Sequence, residues 1–436
     1  MQKQKVSIVK YGNDRENIKK ALEMCGGLEK IKKLSPSDRV LIKPNLVMWD
    51  SVLAFPKYGV LTTSVVVEEI VKLLAENGLT DISIGEASSE DKSRGSSTVL
   101  AYEGLGYHKL ESRYGVKLLD FNRGPFTEVD FGDFKLNIAA EALETNFLID
   151  IPVLKTHNST KVSLGFKNLK GCLDRKSKML CHNVNIPLDN FVSHLGERLN
   201  PGLTVIDGIF TMERGPAVNG TAHRADLIIS STDIFSADTV GSMVMGFEPG
   251  EIDHLSMFAQ RNGLSLDAGN IDIVGEPLAS VTRKLRWDWE WKADNSGPPA
   301  FERMGITGIN YPKYDETICS TCSFFNNLIL ILLLGSYDGK PFPNIEFLTG
   351  KKMFSEGGYD KTFLFGKCIA EVNKDNPNIK QAVKIKGCPP TMDEIVKVLN
   401  ENGVKADLET YRQYRQSLAD RYKGKDEFND SLFTVS

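Results

Sequence analysis

The sequence predicts an α/β fold: a large domain with a mostly parallel sheet, followed by a smaller α/β unit toward the C-terminus. Three observations carry this. Aliphatic, β-branched runs alternate with amphipathic helical stretches through residues 1–275. The composition then changes over residues 276–315, where RWDWEWK and the turn-rich ADNSGPP stand. A second, shorter series of strand-like runs occupies residues 316–405, leaving a polar tail at 406–436. A chain of 436 residues also exceeds what one hydrophobic core usually serves.

Val6–Val9 opens the large domain as a strand, with a helix starting near Asn13. Val40–Ile42 is the next strand, and Ser64–Asn77 reads as a helix with Thr63 as N-cap and Gly78 as stop. Asp81–Ile84, Val116–Leu119, Phe147–Val153, Leu203–Ile206 and Leu227–Ile229 are further strand candidates. This alternation is the signature of crossover units on a parallel sheet. Trp287, Trp289 and Trp291 alternate, as side chains on one face of an extended arm do. In the small unit, LILILLL (residues 328–334) reads as a buried helix after a C-S-T-C pair. Ile345–Leu348, Thr362–Phe365 and Ala382–Ile385 are short strands, and Thr391–Asn402 is an amphipathic helix stopped by Gly403. From Leu408 the tail is expected to form a surface helix and then fray.

With 53 basic and 57 acidic residues the net charge is −4, and no basic tract offers an electrostatic footprint for nucleic acid. LILILLL is too short to span a bilayer, so no membrane role is expected. The N-terminal segment lacks an apolar signal region. Seven unevenly spaced cysteines therefore read as thiols or ligands in a reducing cytoplasm, not as a disulfide framework. The standard phosphate loops and the H-E-x-x-H and G-x-S-x-G motifs are missing.

Cys319, Cys322, Cys368 and Cys388 are the leading candidate ligands. The last two each follow a strand-like run closing in glycine, which places them at loop ends where side chains converge. Soft thiolates of this kind suit a [4Fe-4S] cluster, and a proline after a ligand cysteine, as in Cys388-Pro389, recurs in cluster loops. Zinc is the alternative, although structural zinc normally uses two compact C-x-x-C knuckles. Cys172, Cys181 and His182 could form a second metal or thiol site, but Cys172 reads as buried and the other pair as incidental.

Functional groups of open α/β sheets gather at the carboxyl ends of strands. Taken strand by strand, those ends carry Lys43 and Asn45; Glu86, Ser88 and Ser89; Lys155 and His157; Asp207; and Asp233. KVSLGFKNLKGC follows, with Lys167, Asn168 and Lys170. Lysines beside glycines and serines suit a small anion. Glu86 and His157 are candidate acid and base if they face each other, with the bland alternative of caps and surface hydrogen bonders.

VLIKPNLV (residues 40–47), GEASS (residues 85–89), LIDIPVLKTHNSTKVSLGFKNLKGC (residues 148–172) and STDIFSADTVGSMVMG (residues 231–246) together resemble the family called domain of unknown function 362. That resemblance implies an iron–sulfur association, commonly through ferredoxin-type cysteine modules. This chain departs from them, having one C-x-x-C and two distant cysteines, which implies a single cluster. The stretch His157 to Gly171 also resembles the histidine-bearing loop of the nickel-pincer lactate racemase family. The likeness implies Lys43, Glu86, His157 and Lys167 around a hydroxy-acid-like substrate or an organometallic cofactor.

The expectation is a cytoplasmic iron–sulfur oxidoreductase that passes electrons to a small anionic substrate or a redox partner protein. The alternatives are an isomerase or lyase acting on a small carboxylate, and an electron-transfer or cluster-carrier protein without small-molecule turnover. The oligomeric state stays open, a homodimer being one option.

Overall fold

The computed structural model describes residues 3–90, 95 and 97–436. Its contacts group the chain into two compact units. One comprises residues up to Cys181, Leu188–Asp288 and Tyr422–Ser436; the other comprises His182–Pro187 and Trp289–Arg421.

The strands of the first unit are β1 (Gln4–Lys10), β2 (Val40–Pro44), β3 (Ile82–Glu86), β4 (Lys117–Asp120), β5 (Phe126–Asp130), β6 (Lys135–Ala139), β7 (Phe147–Ile151), β8 (Val153–His157), β9 (Lys161–Ser163), β10 (Leu203–Glu213), β11 (Thr221–Ser231) and β12 (Ile271–Gly275). Ten of them form one sheet in the order β12-β1-β11-β10-β7-β2-β3-β4, with β8 on β10 and β9 on β8; β5 and β6 form a separate hairpin. The run from β10 to β4 is parallel. The long β11 is antiparallel to both β1 and β10, so the sheet is mostly, not wholly, parallel. Every residue of β2, β7 and β8 is buried, as befits parallel strands covered on both faces. The predicted strand Phe147–Val153 divides at Pro152, which has no N–H to give the ladder; its carbonyl instead accepts from the Asp207 amide at 2.8 Å.

Ser64–Glu76 forms the predicted helix, and Gly78 adopts φ +83° where it ends. Thr63 occupies the N-cap position, but its hydroxyl does not cap. Both its amide and its hydroxyl donate to Asp207 Oδ2, at 2.7 and 2.8 Å, tying the helix start to β10.

The second unit has its own parallel sheet, β13 (Ile309–Asn310), β14 (Ile345–Leu348), β15 (Lys361–Phe365) and β16 (Ala382–Ile385), in that spatial order. LILILLL lies in the helix Ser320–Ser336 and buries Leu328, Ile329, Leu332 and Leu333. Thr391 caps Met392–Glu401 by accepting from the Glu394 amide at 3.2 Å. Residues 286–292 form no regular strand; instead the Trp291 indole N–H donates to the Tyr311 carbonyl at 2.8 Å. Among the described residues no helix is long and apolar enough to cross a membrane.

The tail departs from expectation. Leu408–Asp420 is a helix of the second unit, but the following residues do not fray. Tyr422, Phe428 and Phe433 stack around Tyr58 and Phe210 of the first unit, and Leu432, Phe433 and Val435 are buried. Aromatic surface hidden in a polar-looking segment outweighs its composition.

Candidate functional site

Parallel pairing of β2, β3 and β7 brings their carboxyl ends side by side, and Lys43 lies directly opposite Asp150 in the register. Lys43 is fully buried and makes an ion pair with Glu86, Nζ to Oε2 2.7 Å; it also donates to the Pro44 carbonyl at 2.6 Å. The Leu46 amide donates to Glu86 Oε2 at 2.9 Å and the Ala87 amide to Oε1 at 2.7 Å, so both carboxylate oxygens are engaged. Gly171 backs onto this pair: a Cβ there would stand 2.2 Å from Glu86 Oε1 and 2.6 Å from Lys43 Nζ. Only a residue without a side chain fits.

A second chain of hydrogen bonds crosses the same edge. Lys155 Nζ donates to Asn45 Oδ1 and to the Val60 carbonyl, both at 2.7 Å. Asn45 Nδ2 donates to Asn168 Oδ1 at 2.9 Å, and Asn168 Nδ2 reaches Asp150 Oδ1 at 2.8 Å and the Lys43 carbonyl at 3.0 Å. The amides of Gly165 and Phe166 donate to Asp238 at 2.8 and 2.9 Å, and Lys178 Nζ donates to the Ala87 carbonyl.

Burial governs the protonation of this centre. It pushes Lys155 and Lys167 down to about 7, Lys167 being further lowered by Lys170 and Lys155, and Lys178 down to about 8. Burial also lifts Asp238 to about 7 and holds Asp150 well above the carboxylate range, with Lys43 and Asn168 opposing it there. Proton affinities near neutrality are what general acids and bases need.

The remaining predicted residues take other positions. His157 ends β8, is 4% exposed, and its Nδ1 accepts from the Ser159 amide at 3.0 Å. None of the Glu86 hydrogen bonds goes to His157, so the two do not form a direct acid–base pair. Ser88 is buried and its hydroxyl lacks a partner among the described residues, while the Ser89 amide donates to the Val47 carbonyl at 3.0 Å. Asp207 latches Thr63 and accepts from the Ile209 amide at 3.1 Å. Asp233 caps the helix Ile234–Val244 through the Ser236 amide at 2.8 Å. Cys172 and Cys181 are fully buried; burial pushes the first thiol up to about 12 and raises the second. Sequence reasoning missed Asp150, Lys178 and Asp238, although a lone aspartate inside the apolar strand F-L-I-D-I was a signal.

In the second unit two of the four candidate cysteines lie in the first turns of helices, Cys322 in Ser320–Ser336 and Cys368 in Lys367–Val372, while Cys319 is an N-cap residue and Cys388 lies on a loop. Cys368 follows β15, and Cys388 follows β16. Backbone bonds Gly366 N to Ile385 O (3.0 Å) and Lys367 N to Gly387 O (3.1 Å) join those two strand ends. Gly366, at φ +88°, approaches the first pair: a Cβ there would lie 3.9 Å from Cys322 Sγ. The Cys322 thiol is pushed far up by its hydrogen bond with Cys319, by burial, and by the charges of Cys319, Cys388 and Cys368. Cys368 is raised by burial and by Cys388 and Cys319, with Lys351 opposing. The thiols are thus electrostatic neighbours, with Cys368 and Cys388 exposed and the other two half-buried. Among the described residues, no three His, Cys, Asp or Glu side chains are set closely enough to hold a single metal ion.

Fold and side chains together define a two-unit α/β protein: one unit has a lysine-rich polar centre at the carboxyl edge of a mostly parallel sheet, and the other carries four thiols at helix starts and on a loop beside a small parallel sheet. Residues 40–243 match the family described as Domain of unknown function (DUF362), the resemblance read from the residues themselves. The thylakoid-associated protein sll1697 of Synechocystis sp. is 28% identical over 280 residues, covering 63% of this chain and 82% of that protein. The lactate racemase apoprotein of Thermoanaerobacterium thermosaccharolyticum is 13% identical with a TM-score of 0.33; the match covers 56% of this chain and 57% of that one. A likeness at that score carries no argument about chemistry.

Proposed function

We propose that this chain is an iron–sulfur oxidoreductase of the reducing cytoplasm. In this reading Cys319, Cys322, Cys368 and Cys388 hold one [4Fe-4S] cluster, and the polar centre of the first unit takes a small anionic substrate. The observation that supports it best is placement: Cys319 and Cys322 stand at the start of the helix Ser320–Ser336, and Cys368 and Cys388 stand just after β15 and β16, whose ends are joined by backbone bonds. A cubane spreads its thiolates over separate irons, so its ligands stand further apart than those of one tetrahedral ion. When bound, the cluster supplies one-electron transfer; the electrons are destined for the small anion or for a redox partner protein.

A second reading, proton-transfer chemistry on a small carboxylate, is favoured by the near-neutral Lys155, Lys167 and Asp238. Lys43 and Glu86, locked in their pair, would then orient the substrate, and His157 would carry protons. Dithionite titration of anaerobically purified protein followed by EPR separates the two. The redox reading expects a reversible signal lost in Cys322→Ser. A cluster that is silent to reduction, with turnover sensitive to Lys167→Met, supports the second instead.

A further inference from the structure

Residues 57–63, which lead into the helix Ser64–Glu76, supply backbone and hydroxyl groups to the polar centre. The Val60 carbonyl is one of two acceptors of the Lys155 ammonium, at 2.7 Å. The other is Asn45 Oδ1, and Asn45 is itself fixed by Thr62: its amide donates to Thr62 Oγ1 at 2.8 Å, and its carbonyl accepts from the Thr62 amide at 3.0 Å. Thr62 Oγ1 donates in turn to the Ile151 carbonyl at the end of β7, at 2.8 Å. Val60 and Thr62 thus set where the Lys155 amine and the Asn45 amide stand.

The C-terminal residues 422–436, which belong to the same unit, grip the chain on both sides of that pair. Upstream, the buried Tyr58 ring packs against Tyr422, Phe428 and Phe433, with centroids 5.4, 4.9 and 5.6 Å away. Tyr422 is anchored in its own right, its hydroxyl accepting from the Ala222 amide of β11 at 2.8 Å. Downstream, the buried Glu68 accepts from the Ser436 amide at 3.2 Å and from the Ser436 hydroxyl at 2.7 Å, besides pairing with Arg15 and Arg113 at 2.9 and 3.1 Å. Between these points the Val435 amide donates to the Leu105 carbonyl at 3.0 Å. Lys57 and Asp430 add a partly exposed ion pair at 3.9 Å, which contributes little.

A connecting segment left to itself samples many conformations. Holding it at one end by stacked rings and at the other by a buried carboxylate removes that freedom before any substrate arrives. We infer that residues 422–436 are a positioning strap for the polar centre, with Tyr58 and Glu68 as its anchor points and with Val60 and Thr62 carrying the fixed geometry to Lys155 and Asn45. Tyr58 acts through other residues and is a positioning residue, not a catalytic one. The inference rests on the reading of the polar centre as the substrate site for its functional meaning, and adds to that site the element that holds it in place.

Hydrogen–deuterium exchange of the full chain, followed by mass spectrometry, tests it in Tyr58→Leu and Phe428→Leu. Leucine keeps apolar bulk at both positions, so both variants are expected to fold. Peptides covering residues 57–63 are expected to exchange at least about tenfold faster than in the parent, while those covering β1 keep the parent rate. Tyr58→Phe, which retains the ring, is expected to stay near the parent. The second readout is the titration of Lys155 by NMR of isotope-labelled lysine. Burial holds that amine at about 7, and a loosened Val60 admits water, so its midpoint should rise by about one pH unit or more in the two leucine variants. Unchanged exchange at residues 57–63, an equal rise across β1, or a Lys155 midpoint that stays put while the segment loosens overturns the inference. Neither readout uses a substrate or a cluster, so a polar centre found inert leaves the strap standing, and a failed strap leaves the substrate reading untouched.

Discussion

Glu86 and Lys43 show how a single buried pair organises the polar centre. Their two charges are withdrawn from water, so each depends on the other and on the Leu46 and Ala87 amides. Removing one partner leaves the other charged and unpaired, which costs about 3–5 kcal/mol, whereas replacing both by apolar residues of similar volume is far milder. Glu86→Gln is therefore expected to lower stability by several kcal/mol in urea denaturation, and Lys43→Met with Glu86→Leu to recover most of it. A Glu86→Gln loss below about 1 kcal/mol would place the pair in wetter surroundings than its burial indicates. The sequence marked Lys43 and Glu86 because both end strand-like runs. It could not disclose that Glu86 is engaged by Lys43 and two amides and not by His157, since that depends on strand order and on the Gly171 backbone.

At the scale of elements, what could be read was whatever depends on local pattern. The helix after Thr63, the parallel strands and the helix after the C-S-T-C pair all follow from periodicity and glycine stops. Non-local competition decided the rest. Thr63 has the chemistry of a cap, yet the Asp207 carboxylate takes both its donors. Asp233 looked like a site residue at a strand end, but the adjacent helix uses it as its cap. Lys178 lies on the six-residue helix Arg175–Leu180, among exposed charges, and nothing in its neighbourhood shows that its amine folds back onto the loop after β3. Cys368 and Cys388 stand out in the sequence because thiols are scarce and each follows a strand-like run closing in glycine. The link between Gly366, Lys367 and the following loop needed the sheet register.

For the molecule as a whole, buried ionisable groups set how the first unit responds to pH. Burial holds Lys155 at about 7, whereas an unfolded lysine titrates near about 10.4. Between those values the unfolded chain binds more protons than the folded one, so stability rises with pH, by up to about 1.4 kcal/mol per pH unit for this fully buried group. Lys167 acts in the same direction. Asp238, raised to about 7 by burial, acts below that window: the folded chain keeps a proton that the unfolded chain releases above about 4, so stability falls as pH climbs toward 7. Together these groups place a stability minimum near neutrality. Calorimetry in phosphate-free buffer should show Tm rising from pH 7 to pH 9, with a shallower rise in Lys155→Met; a flat or falling profile in the parent chain contradicts the burial of these charges.

The second unit carries the central claim, that thiols from three separate chain segments close around one inorganic centre. Its most direct measurement is the iron and acid-labile sulfide content of anaerobically purified chain, read beside the visible spectrum. The account predicts brown protein with about four irons and four sulfides per chain, and loss of both in Cys319→Ser and Cys388→Ser. Colourless protein carrying zinc, or iron retained when these cysteines are replaced, contradicts it.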